Sequence, residues 1–265
     1  QDGLTMTLKS IITALLLSTL VPGALQADEA DWTPIFNGKN LDGWAAKFSG
    51  HTLGDNILNT FRVEDGVLRV SYEQYEKFGG RFGHLFYKSP YKSYRLKFDY
   101  RFLGEQVTGG PGWAFRNNGV MIHAQAPETM GLDQDFPVSI EVQLLGQTGD
   151  KARPTGNVCT PGTHIELDGK LEKNHCIGSS SKTYAGDGWV TAEIEVAPDG
   201  TVTHYIDGEQ VMQYTRTQLD PSDKDAAALM QDGQTALTSG YIALQAESHP
   251  TEFRNLEIKS TVKAR

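Results

Sequence analysis

The chain has 265 residues, 38% of them hydrophobic, with 33 acidic against 24 basic side chains and a formal net charge of −9. That length buries a large core within one β-rich domain, and the acidic balance excludes a nucleic-acid backbone as partner, because such partners select basic charge gathered on one face. A neutral polar solute fits, and 28 glycines set among Asp clusters between short runs are the punctuation of an all-β chain.

In chain order, Lys9 precedes an apolar run from Ile11 to Leu25, and Leu25-Gln-Ala27 offers a small residue before Asp28. The pattern is that of a cleaved signal peptide over 1–27, with residues 1–5 an extension ahead of Met6, and it predicts a periplasmic or secreted protein. The run is shorter and more interrupted than the roughly 20 apolar residues of a membrane span. No membrane span is expected in the mature chain, 28–265, which reads as a single domain.

The mature part opens with Trp32 to Trp44, where Asn37-Gly38 and Asp42-Gly43 are turn signals and Trp44 is an apolar anchor. Phe61 to Val70 reads as a hairpin turning at Asp65-Gly66. In Tyr94 to Phe102 the alternation sends Tyr94, Leu96, Phe98, Tyr100 and Phe102 to a core and leaves Arg95, Lys97, Asp99 and Arg101 on a solvated face. Two further alternating strands, Asn118 to Gln125 and Val138 to Leu145, carry the polar chemistry. Val120, Ile122, Ala124, Ile140, Val142 and Leu144 take the apolar faces, which leaves His123, Gln125, Glu141 and Gln143 on one polar wall if the strands are neighbours.

The segment 146–187 breaks this rhythm with Pro154, Pro161 and a polar run, and reads as a long excursion rather than a core strand pair. It holds the only two cysteines, Cys159 and Cys176. In an exported protein such a pair closes into a disulfide, and a loop of this length adds about 3 kcal/mol. A metal pair with His164 or His175 lacks the spacing of zinc sites, and these histidines with Glu166 read as loop decoration. Strands resume at Gly188 to Val196 and Thr201 to Val211, with turns at Asp199-Gly200 and Asp207-Gly208. A helical turn is expected near Asp225 to Met230, and the last strands are Gly240 to Glu247 and Thr251 to Ile258. The pattern is an antiparallel two-sheet sandwich.

Several of these segments resemble one family, the 3-keto-disaccharide hydrolase domain: Phe36-Asn-Gly-Lys-Asn-Leu-Asp-Gly-Trp44, Val63-Glu-Asp-Gly-Val-Leu68, Asn118-Gly-Val, Ile140-Glu-Val-Gln143, Tyr205-Ile-Asp-Gly and Gly240-Tyr-Ile-Ala-Leu-Gln245 with Glu252-Phe-Arg-Asn255. The resemblance runs from Trp32 to Ile258 and implies a concanavalin A-like jelly roll of the lectin and glucanase type. It also implies a sugar site on the concave sheet and cleavage of glycosides oxidised at the third sugar carbon.

Ordinary glycoside cleavage needs two carboxyls flanking the bond. The central strand offers one, Glu141, and Glu247 supplies a second only if its strand lies beside the central pair. A ketone beside the second sugar carbon changes the need, since the proton there is acidic and one base removes it before the glycosidic oxygen leaves. Glu141 or His123 is the expected base, the other shuttling a proton or holding a metal. Asn118, Gln125, Gln143, Gln245 and Glu247 are the expected sugar contacts, and Arg116 the cation steadying negative charge. Trp113 is a stacking or core residue. No cofactor is required; a divalent ion between His123 and Glu141 is the open alternative. An oligosaccharide or glycoside is the expected partner. A lectin-like module and a conventional endoglucanase remain as second and third readings.

Overall fold

The structure, a computed structural model, describes residues 1–2 and 31–263, the last three by backbone alone, so the expected leader lies outside the described residues from residue 3 onward. The strands are β1 Thr33–Pro34, β2 Trp44–Phe48, β3 Phe61–Glu64, β4 Val67–Val70, β5 Gly83–Tyr87 and β6 Tyr91–Phe102. After them come β7 Asn117–Ala124, β8 Ile140–Leu145, β9 Asn157–Cys159, β10 Thr163–Leu167, β11 Lys170–Glu172 and β12 Cys176–Ile177. The chain closes with β13 Val190–Val196, β14 Val202–Ile206, β15 Glu209–Leu219, the short helix α1 Lys224–Leu229, β16 Tyr241–Ala246 and β17 Thr251–Lys263.

They form two antiparallel sheets. One has the order β12-β9-β8-β7-β16-β5-β2 and carries the site; the other has the order β11-β10-β15-β14-β13-β6-β17-β4-β3, with β1 on β17. Their facing sides interdigitate: Val120, Ile122, Ile140, Val142 and Leu244 from the site sheet meet Leu96, Phe98, Ile194, Val202 and Phe253 from its partner, all 2% exposed or less. Each such side chain contributes ~1.5–3 kcal/mol on burial. The hairpin at Asp65-Gly66 has φ of 50° and 79°, the left-handed pair of a type I′ turn, which is why Asp-Gly occupies it. Asp223 caps α1 through the amides of Asp225 and Ala226, within a residue of the expected turn.

Two expectations change. The 146–187 segment is not outside the core: β9 and β12 extend the site sheet, β10 and β11 extend the other, and Val158 and Ile165 are fully buried. Cys159 and Cys176 face each other across β9 and β12 and form the disulfide. Secondly, β7 does not keep its alternation. Tyr241 pairs with Ala124 but Ala243 pairs with Met121, so Ile122 and His123 together oppose Ile242 in a β-bulge. The extra residue reverses the parity beyond it. Ala124 joins Met121, Phe86 and Ala243 on the outer face instead of entering the core, and His123, at φ 49°, turns the other way.

Candidate active site

The strand register lays the outer face of the site sheet out in rows. One row runs Ala45, Phe86, Ala243, Met121, Glu141, Cys159, Cys176, and Glu141 is its sole ionisable group. The next runs Lys47, His84 and Gln245, crosses β7 at Gly119, and continues through Gln143 and Asn157. Glu141 bends from the apolar row over Gly119, where a methyl group would overlap its Oε1 and Cδ. The carboxyl thus occupies space that only glycine leaves.

Apolar neighbours on both sides explain its electrostatics. Glu141 is 7% exposed and no donor among the described residues reaches its carboxyl, so burial pushes its pKa up to about 8. Glu247, the first residue beyond β16, is 2% exposed with Oε1 unpartnered. Burial and the Glu141 charge hold it well above the carboxylate range, against the attraction of Arg153. Because β16 inserts between β5 and β7, the condition set for a second carboxyl is met, and both acids line one hollow of about 400 Å³.

The cation of this hollow is Arg153, which the sequence did not single out. Its Nη1 donates to the carbonyls of Phe115, Arg116 and Gly146 at 2.7–2.9 Å and its Nη2 to Trp113 at 3.3 Å. No carboxylate neutralises it directly, and burial lowers its pKa. Arg116, the expected cation, instead points away and pairs with Asp187 and the Gly186 carbonyl, each at 2.7 Å. The irregular 146–187 run hid Arg153, since no periodicity reports where such a side chain points.

The remaining expectations divide. Gln143 lines the hollow and accepts from Asn157 at 3.0 Å. Gln245 lies on the same face, 1% exposed with both amide atoms unpartnered. Asn118 does not reach it. Asn118 shares the parity of Val120, and its amide braces the Gln245 carbonyl and Thr251, while Asn117 takes the wall position with Oδ1 unpartnered. Gln125 is a loop brace, accepting from Val138 N and Gln134 and donating to Thr129. His123 lines a different cavity, between the sheets, so the juxtaposition of His123 with Glu141, as base partner or as shared metal ligand, is not formed. His84 is the imidazole on this face: fully buried, both nitrogens unpartnered, beside Phe136 at 5.8 Å, its pKa lowered to about 3 by burial. Period-two parity of His84 with Phe86 on β5 was the available signal.

Trp113, 55% exposed, stands at the rim and stacks on Phe82 with planes 6° apart. Among the described residues no group of three His, Cys, Asp or Glu side chains is placed to hold a metal ion, and no helix is long and apolar enough to cross a membrane. The arrangement can therefore exchange protons between two carboxyls beside a fixed positive charge, in a pocket walled by Trp113, Phe136, Leu145 and the disulfide.

The chain is an antiparallel two-sheet sandwich of the concanavalin A-like class, with a polar hollow on one sheet. Two putative glycosyl hydrolases of Parabacteroides distasonis share it: one aligns at TM-score 0.50 with 19% identity over 87% of this chain and 94% of its own, the other at 0.51 with 18% over 87% and 99%. No curated protein sequence matches. Residues 31–259 match the 3-keto-alpha-glucoside-1,2-lyase-like domain, and the chain belongs to that family.

Proposed function

We propose that this protein cleaves 3-keto-glycosides by elimination and then hydration, with Glu141 as base, Glu247 as acid and Arg153 as the charge that steadies the enolate. In the first step the C2–H bond breaks, its proton passes to the Glu141 carboxylate, and the electron pair forms an enolate across C2 and C3. The enolate then collapses to restore the ketone, C1 and C2 become doubly bonded, and the C1–oxygen bond breaks as Glu247 protonates the leaving oxygen. Water adds at C1 while C2 regains a proton, giving 3-keto-glucose. Glu141 is assigned the base role because its carboxyl bends over Gly119 into the hollow with no donor among the described residues to blunt it, whereas the Glu141 charge favours a protonated Glu247, ready to donate. Arg153, held by carbonyls alone, has charge free for the enolate oxygen.

The observation that carries the reading is the Glu141 carboxyl, buried without a donor over Gly119 in the hollow that also holds Glu247. Incubation of the purified protein with a 3-keto-disaccharide and its unoxidised parent, in heavy water, tests it. Release of 3-keto-glucose deuterated at C2 from the oxidised sugar alone is the expected result. Cleavage of the parent at a similar rate, or product without deuterium, overturns it. Export is part of the proposal: the leader pattern at 1–27 and the disulfide both suit an oxidising compartment, and N-terminal sequencing of periplasmic or secreted material should begin near Asp28.

A further inference from the structure

A second cavity, of about 670 Å³, lies on the opposite side of β7 from Glu141, between the two sheets, and nothing in the reaction above uses it. Its size falls within the ~300–1,000 Å³ of small-molecule sites. The β-bulge sends His123 into this cavity. The imidazole is 2% exposed, Nδ1 is buried without a partner, and burial lowers its pKa to about 4, so the ring is neutral and able both to donate and to accept. The conformation that does this is costly: φ is 49° at a residue with a Cβ, and Gly240 packs against the His123 backbone so closely that any side chain there would overlap it. Arg216, on the facing strand β15, lines the same cavity and is also left-handed at φ 49°. Strained residues held by their surroundings gather at ligand sites.

The lining fits one ligand class. Among the described residues, the hydroxyls of Thr215, Thr235 and Thr238 are engaged by no other group, while Val196, Pro198 and Leu237 supply apolar patches between them. Arg216 turns outward to Glu166 at 3.6 Å, so its charge is not committed to the cavity. Hydroxyl groups alternating with C–H faces are the surface of a sugar ring. The geometry points to a second, non-catalytic site that binds a neutral saccharide, with His123 on its floor and threonine hydroxyls on its walls.

The test is a titration of protein carrying 15N-labelled histidine with maltose, with glycerol and with sodium sulfate as separate arms, following the ring nitrogens by NMR. His123→Gln assigns the resonances. Saturable shifts of His123 with maltose, and a roughly five- to tenfold weaker dissociation constant in Thr215→Val, where one hydrogen bond is removed and the backbone untouched, are expected. The inference is overturned if maltose at about 100 mM, two decades above a millimolar dissociation constant, moves only His175 at the Glu141 hollow, or nothing. An equal shift from glycerol, or a shift from sulfate alone, overturns it too. Cleavage of 3-keto-glycosides is not read in this experiment, so the two proposals fail separately.

Discussion

The outer faces of the two sheets handle charge in opposite ways. On the β6, β13 and β17 face, Glu252 takes Arg101 at 2.6 Å and Arg69 at 2.8 Å, and Asp99 takes Arg254, Asn255 and Thr191. Trp189 lies between the guanidiniums of Arg101 and Arg254, 4.4 and 4.1 Å from its ring centre. On the site sheet there are fewer charges, and they stand apart. Glu141 has no donor among the described residues, Glu247 leaves one oxygen bare, and His84 has two idle nitrogens. A paired charge spends its field on its neighbour and supports the fold; an unpaired buried one destabilises the fold and keeps its field for a ligand.

If that division holds, changes on the site sheet strike turnover and changes on the other strike stability. Glu141→Gln should have the largest effect, lowering kcat by about a thousandfold with 3-keto-disaccharide. A rate within tenfold of wild type would remove Glu141 as base. Gly119→Ala fills the space under the carboxyl and should reduce kcat/KM by about a hundredfold, the cost of misplacing a catalytic group by about an ångström. kcat/KM should climb as pH passes through about 8, where Glu141 ionises in the free enzyme. A profile already flat from pH 6 upward would contradict the raised value.

On the other sheet, Glu252→Gln leaves two arginines short of their shared partner and should cost about 3 kcal/mol in chemical denaturation, with kcat unaltered. Arg95→Gln, at the more exposed Arg95–Glu193 pair, should change stability by no more than about 0.5 kcal/mol. Heating across a pH series adds a contrast in sign. Glu141 is raised from 4.5 to about 8, so its contribution is full below about pH 4.5 and is lost as pH climbs to 8. His84 and His204 are lowered from 6.5 to about 3 and 4, so theirs is full above pH 6.5 and is lost as pH falls. The melting-temperature advantage of Glu141→Gln over wild type should therefore widen from about pH 5 to about pH 9.

Much of this arrangement was legible from alternation alone. Tyr94 to Phe102, the Asp-Gly turns and the inward set Ile242, Leu244 and Ala246 all lie where period two puts them, because a half-buried strand must segregate its faces. Glu141, Gln143, Gln245 and Glu247 emerge on one side for the same reason. What failed were the places where counting by two stops working. A bulge adds one residue and carried His123 through the sheet, and nothing in Met121 to Ala124 announces it. Asn118 was assigned to the wall against its own parity, and Asn117 holds that place. Arg153 sits in a run with no period, so its position depends on the carbonyls of Phe115 and Arg116, just ahead of β7, and of Gly146, just after β8.

The lodging of β16 between β5 and β7 bears on how the molecule is made. The two halves of the site sheet have no hydrogen-bonded seam until residues 241–246 arrive, more than a hundred positions after β7. Closure of so distant a strand is slow. The same late zip delivers Glu247, so the hollow and the sheet are completed in a single event.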